Sequence, residues 1–433
     1  MPGGSRADTR AHRRALRNFS PVGTNRPSSR KRYSDRQAVA GKSITLIPKA
    51  ILLMKPSVKA NLAAFHHDAR LYLTLGIANW SVFVDHIPNN VVNLLTLRNF
   101  GFSGAADLFV FVVGYGVAII HGRMALERGY VVAATRIFRR VWRLYAAYVV
   151  LFVIYIDTIA YVASQSMAPE IIHEYNISGI LEHPLRILVR GLVLQEEPLN
   201  LDLLQLMIPL MAFFPLVLWG LLRGPNLTLA ASVALYVAAR WFDWNFRVYP
   251  DQEWTFNPLC WQMLMVLGGW FAVTGASGRA LHGMSWLRIL AGAYLVFAMA
   301  VTLMRHSPAL SAYLPDLLLN SIAPTDKENL APYRVVHFLA LAFIATHLIP
   351  ADHPGLKWRP LQAVIICGEE WLAVFCVAVF LSFAGHLILI TGPNLVAMQV
   401  AVSIVGFAAM TAVAYYITWS KRQDLPAALR QQT

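Results

Sequence analysis

Asp85 and His86 stand side by side in Val84-Asp85-His86-Ile87-Pro88-Asn89-Asn90, at the end of an apolar run that Pro88 cannot continue as helix. A histidine so placed suits general-base work, because its ordinary pKa of about 6.5 lets it take a proton near neutral pH and return it. A sugar hydroxyl is one group that such a base activates. Residues i and i+1 of a helix point to different faces, so the group that orients the imidazole is expected from another helix rather than from Asp85. Asp107, in Gly101-Phe102-Ser103-Gly104-Ala105-Ala106-Asp107, is the candidate.

Other polar side chains sit at the ends of other apolar runs: Asp202 with Gln205, then Asn257, Trp261 and Gln262, then His337 and His386. An ionisable group inside a membrane span is a functional hypothesis by default. Separate helices delivering such groups to one depth is how a bundle builds a buried polar site. The competing reading is a ring of interfacial residues wetted by lipid head groups. Glu369 and Glu370 lie inside the ninth run, as part of a proton or cation path or because that helix starts later. The chain has no HExxH, CxxC, P-loop or GxSxG pattern, so metal hydrolysis, Walker-type nucleotide hydrolysis and serine hydrolysis lose their usual signals. Cys260, Cys367 and Cys376 lie in apolar stretches without ligand spacing and read as packing residues; no metal is expected.

The elements that must position these groups are membrane helices. Of 433 residues, 57% are hydrophobic and only 14% charged, with mean hydropathy +0.50, which excludes an ordinary soluble domain. The fold class is all-α, a polytopic bundle of about ten transmembrane helices with both termini cytoplasmic. Apolar windows fall at 70–90, 101–121, 137–163, 200–222, 226–241, 257–274, 287–304, 333–350, 361–389 and 394–419. The stretch Leu185 to Leu194 is too short to span and reads as a lateral or re-entrant piece. Residues 1–60 carry fourteen Lys and Arg against Asp8 and Asp35, with almost no apolar period and no signal-peptide pattern, and read as a disordered cytoplasmic tail. That tail either binds anionic lipid or only fixes topology. No nucleic-acid fold follows it. Residues 65–420 form the membrane domain and 421–433 a second cytoplasmic tail.

Orientation follows from Arg and Lys in short loops. Arg123, Arg128, Arg136, Arg139, Arg140 and Arg143 follow the second run, and Arg223, Arg279, Lys357, Arg359, Lys421 and Arg422 fall on the same side. The opposite loops, 164–185, 242–256 and 305–332, face outward. Trp241, Trp244 and Trp254 there are suited to stacking on sugar rings or to an interfacial aromatic belt.

Asp68-Ala69-Arg70-Leu71, the Asp85–Asn90 block and Leu97-Arg98-Asn99-Phe100-Gly101 running on to Gly114-Tyr115 together resemble the OpgC family, membrane proteins that modify osmoregulated periplasmic glucans with succinyl groups. Phe256-Asn257-Pro258-Leu259-Cys260-Trp261-Gln262, Leu372–Cys376 and Leu381–His386 extend the similarity over roughly 65–420. The resemblance implies an O-acyltransferase of the bacterial inner membrane, related in architecture to the family-three membrane acyltransferases. In those proteins an Arg precedes the His by about ten residues. Here that place is Leu75, and Arg70, nearer the inner end, is the substitute. The implied donor is succinyl-CoA from the cytosol and the implied acceptor a periplasmic glucan, with lipid and glucan biosynthesis proteins as further partners. On that reading His86, Asp107 and Asp85 form the catalytic group, and Arg70, Asn257, Trp261, Gln262, His337, His386 and Asp202 bind substrate. Asn257, Gln262 or Trp261 would hold the oxyanion. Arg123, Arg136, Arg139, Arg140 and Arg143 either grip the CoA phosphates or serve only positive-inside topology. Acetyl or another acyl group fits the same residues. Transport or flipping of a glycan or lipid competes, though no repeat or midplane charge pair favours it; a structural partner role is the third reading.

Overall fold

The computed structural model describes residues 54–65, 68–165, 171–177, 180–248, 252–275, 284–313, 315, 327–393 and 395–424. The basic tail lies outside the described residues up to position 53, as does the chain beyond 424.

The described chain is helical apart from a two-stranded hairpin, β1 (Arg247–Val248) with β2 (Gln252–Glu253). In order the helices are α1 (Pro56–Ala64), α2 (Ala69–Asp85), α3 (Ala105–Arg128), α4 (Tyr130–Ser164), α5 (Ile171–Glu174), α6 (Pro184–Leu192), α7 (Asp202–Arg223), α8 (Pro225–Trp241), α9 (Pro258–Thr274), α10 (Ser285–His306), α11 (Pro308–Ser311), α12 (Pro332–Leu348), α13 (Arg359–Glu369), α14 (Trp371–Thr391) and α15 (Val396–Gln423). Each of the ten apolar runs becomes helix, but six are long and apolar enough by themselves to cross a membrane: α3, α4, α7, α10, α14 and α15. The difference from the expected ten is one of length for α9 and α12, and of length and apolarity together for α2 and α8. Helices α2, α8, α9 and α12 have 17 residues each, and at 1.5 Å per residue such a helix reaches about 25 Å against about 30 Å of hydrocarbon.

The ninth run, read as continuous from 361 to 389, divides at Glu370 into α13 and α14. Carbonyls freed near a helix break need donors. Asn79 of α2 supplies one, its Nδ2 lying 3.3 Å from Trp371 O and 3.5 Å from Cys367 O. Glu370 meets Lys421 of α15 at 2.5 Å. The short apolar piece near 190 is α6, whose Ile187 and Gly191 face inward while Leu185 and Val189 are exposed.

Two close crossings hold the helices that carry the conspicuous polar residues. Where α3 meets α9, a Cβ on Gly114 would stand 2.2 Å from Met265 O, and one on Gly268 2.2 Å from Phe111 O. Where α2 meets α13, a Cβ on Gly76 would stand 1.9 Å from Val364 O. Small residues let membrane helices approach backbone to backbone, with dispersion replacing the absent hydrophobic drive. The last turn of α2 and the chain after it are tied down by α14 and α15: Ser382 Oγ donates to Phe83 O at 3.0 Å, and Asn90 Nδ2 to Ser403 Oγ at 2.8 Å.

Candidate active site

At the end of the bundle where α2 stops and α3, α7, α9 and α12 begin, a cavity of about 840 Å³ opens. Its wall is mixed but rich in polar groups: Asp85, His86, Arg98, Asn99, Asn176, Glu197, Asn200, Asp202, Thr255, Arg305, His306, Lys327 and Arg334 all line it, with Phe102, Phe256 and Tyr333 as aromatic surfaces. His86 caps α2, and its Nδ1 is enclosed without a hydrogen-bond partner. Pro88 and Asn89, the latter at φ 58°, turn the chain away just beyond it.

Asp107 does not orient that imidazole. It is fully buried, its Oδ2 accepting from Gly104 N–H at 2.8 Å and from Arg334 Nη2 at 2.6 Å, while its Oδ1 has no partner. An acid three residues into a helix first satisfies the free N–H groups of the opening turn, and the arginine of α12 takes the rest of its charge. The carboxylate whose field acts most on His86 is Asp202, the first residue of α7, facing Lys327 at 3.9 Å. Asp85 holds Arg98 through Nε at 3.4 Å and accepts from Thr96 Oγ1 at 2.7 Å.

The other expected site residues divide between this cavity and elsewhere. Asn257 caps α9, accepting from Leu259 N, and spends its Nδ2 on Trp244 O and Asn329 Oδ1. Trp261 Nε1 donates to the carbonyls of Lys327 and Glu328, each at 3.1 Å, and Gln262 pairs with Ser232. Asn257 and Trp261 hold the approach to α12, Asn257 also the chain before the hairpin, while Gln262 ties α9 to α8; none of the three lines the cavity. His337 Nδ1 lies 2.7 Å from Ser103 Oγ, behind the wall that Ser103 forms. His386 meets Tyr175 Oη at 2.9 Å and Glu174 at 3.4 Å, fastening the chain after α5 to α14.

The remaining arginines belong to the other end of the bundle. Arg70 is bound to Asp68 at 2.7 Å and to Ile349 O at 2.9 Å. Arg123 Nη1 donates to Phe65 O at 3.2 Å; Arg136, Arg139 and Arg143 are exposed and Arg140 is half-buried. Arg123 lies sixteen residues beyond Asp107 in α3, about 24 Å along the axis. Among the described residues no group of His, Cys, Asp and Glu is arranged to hold a metal.

A family model described as OpgC protein matches residues 67–422, most of the chain and all but its ends. The chain belongs to the OpgC family. Membership together with the apolar helices makes it a membrane protein and an acyltransferase of the glucan-modifying kind. No curated protein and no solved structure matches the chain.

In this OpgC chain several groups on the cavity wall escaped the sequence reading: Arg98, Glu197, Asn200, Arg305, Lys327 and Arg334. Glu197 is buried, its Oε2 accepting from Thr255 N–H at 2.9 Å and its Oε1 without a partner. Burial, and next the charge of Asp202, push its carboxyl up to about 7. Burial does the same to Glu196 against the opposing charge of Arg190. Arg334 Nε is likewise buried without an acceptor. Loop charges read as solvated in a sequence; only the Glu196-Glu197 pair abutting Pro198, between apolar segments, hinted at burial.

Proposed function

We propose that this protein transfers a succinyl group from cytoplasmic succinyl-CoA to hydroxyls of osmoregulated periplasmic glucans, with His86 as the general base. The observation that carries the reading is His86 itself: an imidazole with an unpartnered nitrogen, on the wall of a polar cavity large enough for a sugar unit and an acyl arm. His86 takes the proton of the acceptor hydroxyl as its oxygen attacks the thioester carbonyl carbon. The C–S bond then breaks, and the leaving thiolate recovers the proton from the imidazolium. Arg334 Nε, an N–H donor without an acceptor in the cavity wall, supports the role of oxyanion donor, a role that Asn257, Trp261 and Gln262 have no free N–H to fill as arranged here. Asp107 fixes the guanidinium from behind.

The route across the bilayer follows from the separation of the two ends. Both the CoA phosphates and the glucan are held where their solvents are, the former by Arg136, Arg139, Arg140, Arg143 and Arg123, the latter at the His86 cavity with its aromatic surfaces. The pantetheine arm spans the distance between. The chain thus sits in the inner membrane with both termini inside, as the basic loops favour.

Membranes carrying the wild type or His86→Ala at matched abundance, given labelled succinyl-CoA and purified periplasmic glucan, test this reading. Label should enter the glucan with the wild type and fall about 100- to 10,000-fold in the variant, the usual worth of a positioned base. Transfer surviving in the variant removes His86 from the chemistry. No transfer by folded wild type rejects the donor and acceptor.

A further inference from the structure

The four cations on the cavity wall are not equivalent. Arg334 is taken up by Asp107 at 2.6 Å, Lys327 faces Asp202 at 3.9 Å and lies 4.2 Å from the Phe256 ring, and Arg305 is engaged as well. Arg98 differs. It meets Asp85 through Nε, at 3.4 Å, and its two terminal amino groups make no hydrogen bond or ion pair among the described residues. Those two groups form one face of a planar fork that matches a carboxylate bidentately. The fork is also held in place: Arg98 sits in the short turn Leu97–Asn99, Asn99 Nδ2 donates to Asn93 O at 2.7 Å, and Asp85 is braced by Thr96. Asp85, His86 and Arg98 all line the same cavity, so the fork and the base open on one space.

We propose that Arg98 binds the terminal carboxylate of the donor's acyl chain, so that the cavity selects a dicarboxylic acyl group over a monocarboxylic one. This rests on the acyl-transfer reading above and adds the residue that chooses the acyl group. Asp85 is then a positioning residue, holding the guanidinium by its inner nitrogen and leaving the outer pair for the ligand. The half-exposed Arg98 gives up little hydration to do this, and a surface-type contact with Asp85 alone contributes little to the fold. Glu197 does not oppose an incoming carboxylate as a full charge would, since its burial keeps part of the population neutral near pH 7.

The test compares succinyl-CoA with butyryl-CoA, the same chain length without the charge, as donors to the same glucan in wild-type, Arg98→Gln and Arg98→Lys membranes. The wild type should prefer the succinyl donor. Arg98→Gln should lower the succinyl-to-butyryl ratio of kcat/KM about 10- to 100-fold, mostly through a higher KM, the scale of losing hydrogen bonds to a charged group. Arg98→Lys should restore part of the ratio, having charge but no fork. A wild type that uses both donors equally, or an Arg98→Gln ratio that does not move, overturns this proposal while leaving acyl transfer standing. Loss of both activities in both variants assigns Arg98 to the fold and overturns it too. A wild type that transfers neither group overturns the acyl-transfer reading and this one together.

Discussion

Replacing Asp107 with alanine leaves the Arg334 guanidinium, 14% exposed, charged and without its carboxylate, and leaves Gly104 N–H without an acceptor. Removing one member of a buried ion pair costs about 3–5 kcal/mol, because the survivor stays desolvated and uncompensated. Replacing both members, Asp107→Leu with Arg334→Met, removes the stranded charge and should recover most of that loss. It cannot recover all, since Gly104 N–H is still orphaned and a buried donor without a partner costs about 1–3 kcal/mol. The double variant should therefore unfold between the wild type and Asp107→Ala. Intrinsic-fluorescence melting of the purified protein in lipid nanodiscs reads all three, with binding of a glucan fragment as a check on the cavity. An Asp107→Ala variant that melts with the wild type would refute the structural role, as would a double variant less stable than Asp107→Ala. Asp107→Asn separates this from the expected histidine-orienting role: its amide keeps an acceptor for Gly104 but no charge for Arg334, so it should lose stability as well as rate.

Glu197 predicts a pH dependence whose sign is fixed by its raised pKa. Unfolded, the carboxyl titrates near 4.5; folded, near 7. Between those values the folded state holds the extra proton, so stability falls as pH rises from about 4.5 to 7 and is flat above, with a span on the order of 3 kcal/mol. Glu197→Gln should abolish that part of the slope in melting temperature against pH, leaving the part due to Glu196. Gly114→Ala forces a methyl to within 2.2 Å of Met265 O, and should lower the melting temperature by an amount corresponding to about 1–3 kcal/mol of overpacking. Tyr175→Phe removes the hydroxyl 2.9 Å from His386 Nδ1 and should cost about 1 kcal/mol, read as a lower melting temperature.

What the sequence conveyed and what it hid divide along a physical line. A proline stop after an apolar run places His86 at a helix end whatever the tertiary fold, and the apolar runs had to become helices because lipid leaves backbone groups no other partner. Helix lengths were less legible: the run from 137 actually begins at Tyr130 and continues to Ser164, and the run from 101 begins only at Ala105, since Gly101 to Gly104 bend and run irregularly before the helix starts. Hydropathy reports where apolar residues are, while a helix extends as far as its backbone bonds are satisfied, past charged residues such as Arg136 and Arg128.

The polar residues chosen for chemistry show the same limit more sharply. Asp107 and Asn257 both stand in the opening of an apolar helix, three residues after Gly104 and one before Pro258, and both spend an oxygen on the free N–H groups there. In a membrane helix that duty comes first, because no water is at hand to take it. A polar side chain at a helix start is thus evidence of capping until its remaining atoms are accounted for. The converse holds for Arg98, Glu197 and Arg334. They occupy turns, loops and a helix start, where a sequence offers every charge a solvated explanation, and they become candidates only when the closed bundle brings all three to one cavity and leaves a buried Glu197 oxygen and the Arg334 Nε–H without partners. Residues that spend their polar atoms on the fold, as Asp107 does on Gly104 and Arg334 and Asn257 on Leu259, Trp244 and Asn329, hold this site together. On the reading proposed above, His86, whose Nδ1 is left without a partner on the cavity wall, is where a substrate would supply the missing contact.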